Sequence, residues 1–233
     1  MTHFVLVHGS FQGGWIWQPT AAFLRAAGHD VLVPTLDGCA ERKVNLRPGL
    51  TVTLAAEELT EALFYEDLQD VVLVGTSSGG LVVEKTAVLA CDRIARLVFL
   101  DALVPQPSES VKDIVQRPPG TQPYEMTEFT RGPTREQLET GLFGELSGEL
   151  KDWALARATP HPLGLSDQLP GELDDFWEQT WDATVIYCTQ STNPPESHQR
   201  RTADRLDAEW VVLEAGHYPM LTHPKETARL LQG

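Results

Sequence analysis

Six short apolar runs set the limits on how this chain can fold. FVLV (4–7), DVLVP (30–34), VVLV (71–74), LVFL (97–100), TVIYC (184–188) and WVVL (210–213) are too short for buried helices. They are also too continuously apolar for strands with one face in water, so they suit a parallel sheet covered on both faces. Between them lie PTAAFLRAAGH (19–29), LAAEELTEALFYE (54–66) and GLVVEKTAVLAC (80–91), with apolar residues at helical spacing. A closing segment, PKETARLL (224–231), opens on a proline, which suits a first helical turn. Alternation of this kind predicts an α/β fold: a doubly wound, mostly parallel sheet of about six strands with helices on both faces.

One interval breaks the pattern. From about residue 105 to 182 the chain is rich in Pro, Gly and Glu and carries no strand signal, only helical fragments at 136–146, 149–158 and 161–181. That is too long for a plain crossover. We expect a small helical cap over the carboxyl edge of the sheet, where open α/β sheets place ligands, inserted into a single domain spanning 1–233. The acidic stretch GELDDFWE (171–178) reads as a solvated helix face.

Charge and cysteine content exclude several functions. A net charge of -15 and a pI near 4.8 repel phosphate backbones and anionic lipid, so no nucleic-acid or membrane partner is expected. Cys39, Cys91 and Cys188 are odd in number and scattered, which suggests neither a disulfide framework nor a zinc site. With MTHFVLVHG entering a strand directly, a reducing cytoplasm is the expected compartment.

The stretch VVLVGTSSGG (71–80) presents three adjacent hydroxyls. A sharp strand-to-helix turn strains its central residue and requires small residues two positions to either side. Gly75 and Gly79 flank Ser77 in this way; Thr76 and Ser78 each fail on one side, so Ser77 is the candidate nucleophile. An unassisted serine hydroxyl attacks poorly at neutral pH and needs a base. His217, in LEAGHYPMLTHP after the last strand, would reach the same sheet edge. His8, at the end of the first strand, is expected to pack beneath the adjoining loop, while His161, His198 and His223 fall on the cap or on outer segments. A tetrahedral oxyanion also needs donors. The backbone N–H of Ser78 at the helix start and that of Ser10 in HGSFQGGW (8–15) are the candidates; this loop lacks both GxGxxG and GxxxxGK[ST], which argues against nucleotide binding.

FVLVHGSFQGGWIW, the GTSSGG elbow and EAGHYPMLTHPKETARLL resemble the α/β-hydrolase superfamily. More narrowly they are similar to the small plant methyl-ester esterases and hydroxynitrile lyases and their bacterial relatives. The resemblance implies nucleophile Ser77, base His217, an oxyanion hole from Ser10 and Ser78, and a site beneath a cap with no metal or other cofactor. Two departures stand out. Thr76 occupies the place where the family has His, which is expected to alter pocket shape. The triad acid of the plant esterases follows the strand matching TVIYC, and here that place holds Ser191, with no carboxylate before Glu196. Some superfamily branches supply the acid from the preceding strand's end, and Asp101 in LVFLDALVP stands there. Asp101 is therefore expected to orient and charge-stabilise the imidazole.

Phe11, Trp15, Trp17, Trp153, Phe176, Trp177 and Trp181 are the aromatic candidates for lining an apolar pocket. Most are expected in the core, with Phe11 and Trp153 assigned to the substrate pocket. The expected activity is hydrolysis of a small carboxylic ester with an apolar or aromatic acyl group, in secondary metabolism, through an acyl-enzyme. The alternatives are an acyltransferase or thioesterase whose acyl group rides on an acyl carrier protein, and a non-catalytic ligand receptor. A lyase is disfavoured: the plant lyases carry Lys after the catalytic His and Thr after the first-strand His, where this chain has Tyr218 and Gly9.

Overall fold

A computed structural model describes residues 1–116 and 120–233; residues 117–119, within the expected cap, lie outside the described part. The first half runs β1 (His3–Val7), α1 (Gln18–Ala26), β2 (Asp30–Leu32), α2 (Val52–Tyr65), β3 (Val71–Ser77), α3 (Gly79–Leu89) and β4 (Ile94–Ala102). The intervening segment holds α4 (Val111–Ile114), β5 (Glu125–Met126), β6 (Thr130–Gly132), α5 (Arg135–Gln137), α6 (Gly148–Leu155) and β7 (His161–Pro162). The chain ends with β8 (Ala183–Cys188), α7 (Glu196–Leu206), β9 (Glu209–Leu213), α8 (Pro219–Thr222) and α9 (Pro224–Gln232).

The six apolar runs become one sheet of order β2-β1-β3-β4-β8-β9, parallel throughout. The two-residue strand period divides their side chains between two cores. Val5, Val7, Leu73, Leu97 and Phe99 face α2 and α3, meeting Leu59, Leu63, Leu81 and Val83. Phe4, Leu6, Val72, Val74, Val98 and Leu100 face the other way onto Ile16, Trp17, Leu24 and Leu231. Burial on both faces explains why the runs in β1, β3, β4 and β8 lack polar alternation, whereas the edge strand β9 departs from that expectation and leaves Val212 56% exposed. From β1 the chain moves outward to β2, then returns to β3 on β1's other side. That reversal makes the carboxyl ends of β1 and β3 the topological switch point of the sheet, the position where α/β sheets bind ligands.

The segment between β4 and β8 differs from the sequence expectation in two respects. It contains a small antiparallel sheet of order β5-β6-β7, in which Thr130 and Arg131 pair with Pro162 and His161. Strands of two or three residues are too short to show a period-two pattern, and β7 pairs with β6 from about 30 residues along the chain. The acidic stretch is also no freely solvated face. Phe176 is fully buried and stacks with Trp181, and the Trp177 indole donates to the Pro105 carbonyl at 2.8 Å. Lys85 pairs with Asp175 at 2.8 Å, and the Thr53 amide and hydroxyl donate to Glu172 at 2.8 and 2.6 Å. Aromatic and acidic residues together therefore clamp this segment onto α2 and α3. Phe176→Ala is expected to destabilise the protein by about 3–5 kcal/mol through lost burial and a residual cavity. Equilibrium denaturation checks it: an unchanged midpoint would place Phe176 outside the load-carrying core. Among the described residues no helix is long and apolar enough to cross a membrane.

Candidate active site

At the end of β3 the backbone of Ser77 is left-handed, with φ 52°, an unusual state for a non-glycine residue. α3 starts two residues later, so the strand converts to helix across Ser77 and Ser78. The turn is possible because of its neighbours: a Cβ on Gly79 would lie 2.7 Å from the His8 carbonyl oxygen and 2.9 Å from that of Val7. β1 and the start of α3 are thus in backbone contact. Gly9 is equally constrained, since a Cβ there would stand 2.6 Å from the Ser77 Cβ. The loop after β1 therefore lies directly against Ser77.

Asp101 reaches the site through an irregularity in the next strand. In the β3–β4 ladder Thr76 pairs with Leu100 and Ser77 with Ala102, leaving Asp101 as an extra residue with φ 45°. A bulge of this kind re-aims its side chain out of the regular alternation. The carboxylate is fully buried and both its oxygens are engaged. The His217 Nδ1–H donates to Oδ2 at 2.5 Å, and the Gln199 amide donates to Oδ1 at 2.7 Å. Gln199, on α7, also donates to the Pro194 carbonyl at 3.0 Å, so its own orientation is set.

His217 follows β9. Burial alone would depress its pKa, but the hydrogen bond and charge of Asp101, joined by the charge of Glu145, outweigh that effect and raise it above the ordinary value. Donation from Nδ1 leaves Nε2 as the free acceptor, the tautomer a general base requires. The backbone N–H groups of His217 and Tyr218 donate to the two oxygens of Glu145 at 2.9 and 2.8 Å.

Ser10 and Ser78 are brought together: their hydroxyls hydrogen-bond at 2.8 Å, joining the β1 loop to the start of α3. The Ser78 N–H precedes the first helical turn and has no intrahelical acceptor there. His8 is fully buried, donating from Nδ1 to the Gly9 carbonyl at 2.8 Å and accepting the Leu36 N–H at 3.1 Å. Burial lowers its pKa to about 4, which leaves it neutral and fixed beneath the loop. His161 and His198 are likewise buried, their pKa values lowered to about 3 mainly by desolvation. His223 is exposed between α8 and α9. The two residues after β8 have other partners than the imidazole. The Ser191 hydroxyl donates to the Asn193 carbonyl at 3.2 Å, and Glu196 lies in the first turn of α7, 3.9 Å from Arg200.

Phe11 touches the intervening segment edge-to-face, 5.2 Å from the Tyr124 ring and 6.0 Å from the His161 ring. Trp153 packs edge-to-face on Trp15 at 5.2 Å with the Arg157 guanidinium 4.3 Å from its ring centre. Trp17 and Phe176 are core residues. Among the described residues no group of three His, Cys, Asp or Glu side chains is arranged to hold a metal. Burial pushes the Cys39 thiol up to about 12 and raises that of Cys188 as well, so both are inert.

Two residues of this arrangement were missed in the sequence, Gln199 and Glu145. For Gln199 a signal existed: it is a polar residue on the core-facing side of α7, beside His198, Thr202, Ala203 and Leu206. Glu145 offered none, because nothing local relates it to a loop 72 residues away.

A left-handed serine between a strand and a helix, with a carboxylate–imidazole pair at the same sheet edge, defines a class, and the chain belongs to the alpha/beta hydrolase family, whose pattern it matches over residues 4–230. It is an enzyme of the α/β-hydrolase type. Its similarities extend to named esterases: it is 35% identical over 172 residues, 70% of each chain, to a carbendazim hydrolyzing esterase of Nocardioides sp. (strain SG-4G). It is 30% identical to salicylic acid-binding protein 2 of Nicotiana tabacum, over 96% of this chain and 93% of that protein. Plant methylesterases of Arabidopsis thaliana match over nearly the whole chain as well. In structure it is similar to an extracellular α/β-hydrolase from a Paenibacillus species, with TM-score 0.82, 24% identity and 99% and 98% of the two chains covered.

Proposed function

We propose that this chain is a serine hydrolase that cleaves a small carboxylic ester through an acyl-enzyme on Ser77. The observation that carries the proposal is the pairing of buried Asp101 with part-buried His217, at 2.5 Å, on the sheet edge where Ser77 turns left-handed. Ser77 Oγ attacks the ester carbonyl carbon while His217 Nε2 takes its proton, and Asp101 stabilises the imidazolium that forms. The oxyanion accepts from the N–H groups of Ser10 and Ser78. Collapse of the tetrahedral intermediate breaks the C–O bond to the alcohol, which receives the proton from His217. A water then attacks the acyl carbon, giving its proton to the same Nε2, and a second collapse breaks the acyl–Oγ bond, returns that proton to Ser77 Oγ and frees the acid. Residues 105–182 serve as the cap of a single domain, and Phe11 and Trp153 bound the acyl pocket with apolar or aromatic surface. The relatives' names support ester chemistry: a carbendazim hydrolyzing esterase, methylesterases and a polyneuridine aldehyde esterase.

A turnover panel of methyl esters, aryl esters, lactones and acyl thioesters tests the proposal. Highest kcat/KM is expected on a small ester with an aromatic or bulky apolar acyl group. Much faster turnover of a carrier-tethered thioester would replace it with a thioesterase or acyltransferase, and turnover of none would favour a receptor.

A further inference from the structure

We infer that Glu145 is a positioning residue for the catalytic base, a latch by which the segment between β4 and β8 holds the His217 loop in place. The inference rests on His217 being the base of the proposed serine hydrolase.

Among the described residues, one acidic side chain grips the backbone of the loop after β9. The carboxylate of Glu145 spans two consecutive amides, those of His217 and Tyr218, with one oxygen to each. Two N–H groups directed at one anion form a charge-assisted pair, stronger than neutral hydrogen bonds and fixed in direction. The preceding residue is shaped to admit it: a Cβ on Gly216 would fall 1.6 Å from Glu145 Oε2. Any side chain there displaces the carboxylate. A second contact reinforces the first, because Phe143, buried two residues before Glu145, packs its ring 5.1 Å from that of Tyr218. Residues 143 and 145 thus hold one loop by an apolar contact and a pair of charge-assisted hydrogen bonds.

Holding the backbone at 217 and 218 fixes where the imidazole starts, and Asp101 then fixes which way it turns. The groups facing the imidazole are Asp101 from β4, Glu145 from the segment before α6, and the Tyr218 ring at 4.9 Å from its own loop. Only the first two carry charge, and Glu145 adds its share to the raised pKa of His217. Glu145 is exposed, so this electrostatic share is screened by salt, whereas its steric and hydrogen-bonding share is not. A base secured this way is complete only while the intervening segment is seated on the sheet.

The test is the rate at which a fluorophosphonate labels Ser77, followed against pH for wild type, Glu145→Gln, Glu145→Ala, Gly216→Ala and the Glu145→Ala/Gly216→Ala double variant, each checked for folding by circular dichroism. Labelling needs the nucleophile and the base but no identified substrate. Glu145→Gln and Glu145→Ala are expected to slow labelling by about tenfold, as a modest misplacement of a catalytic group does. The acidic limb of the rate profile should move to lower pH, because loss of a nearby negative charge destabilises the imidazolium, and 1 M salt should shrink the move. Gly216→Ala keeps the charge but evicts the carboxylate, so it should slow labelling comparably, and the double variant should lose little more. Wild-type rates and pH profiles in both Glu145 variants would overturn the latch, as would losses that multiply in the double variant or a fall in thermal stability alone. Labelling that requires Ser77 and His217 yet ignores Glu145 would overturn only the latch. Absence of labelling in the wild type would overturn the serine-hydrolase reading and the latch with it.

Discussion

Alanine at Ser77 is expected to reduce ester turnover by about 10⁵-fold or more while leaving the fold intact, the scale seen when a triad nucleophile is deleted. The size follows from the geometry. All covalent chemistry in the proposed mechanism passes through one oxygen, and the donors that remain can only polarise a carbonyl for attack by water. The substitution removes that oxygen without adding volume, so the thermal midpoint should hold. Steady-state kinetics on an aryl ester, with intact mass after fluorophosphonate treatment, checks both halves. Equal adduct formation in wild type and variant would remove Ser77 from the mechanism.

Asparagine at Asp101 should cost about 10⁴-fold in turnover, as loss of the orienting carboxylate does in other triads. The local hydrogen bonds say why. Gln199 donates to Oδ1, so the asparagine oxygen would stay with that donor and its NH₂ would face His217 Nδ1. An imidazole that must accept at Nδ1 carries its proton on Nε2 and cannot take one from Ser77. The pH profile carries a second sign. His217 has a raised pKa because of Asp101, and as a base it works only when neutral, so wild-type activity falls as pH drops through that raised value. Without the carboxylate the imidazolium is less favoured, and the acidic limb should move to lower pH. Glu196→Gln, by contrast, should leave both turnover and profile at wild-type values. The opposite pattern, a large loss at Glu196 and none at Asp101, would return the triad acid to the segment after β8.

Much of the fold was legible because burial on both faces writes itself into composition. Each strand of the main sheet is a short run with almost no polar residue, and the helices between them show apolar spacing against which the two cores are built. The elbow was legible for a similar reason: a left-handed turn in tight backbone contact with β1 excludes side chains at flanking positions, so its glycines announce it. The three short strands β5 to β7 were not, since two or three residues carry no period and the β6–β7 pairing is non-local. The acidic run at 171–178 misled for the opposite reason, two of its carboxylates, Asp175 and Glu172, being held by Lys85 and Thr53 on helices that no local window relates to it.

By itself the sequence determined which elements form, that they alternate into a parallel sheet, and that one serine sits where only a strained turn can be. These are local properties, decided by side-chain volume and polarity within a few residues. Only the tertiary structure decided what surrounds that serine. It showed that the bulge at Asp101 turns a carboxylate toward His217, that Gln199 occupies its other oxygen, and that Glu145 meets the backbone of the same loop. Each of those contacts joins residues 72 or more positions apart. Their strength depends on distance and burial, which exist only once the chain has folded.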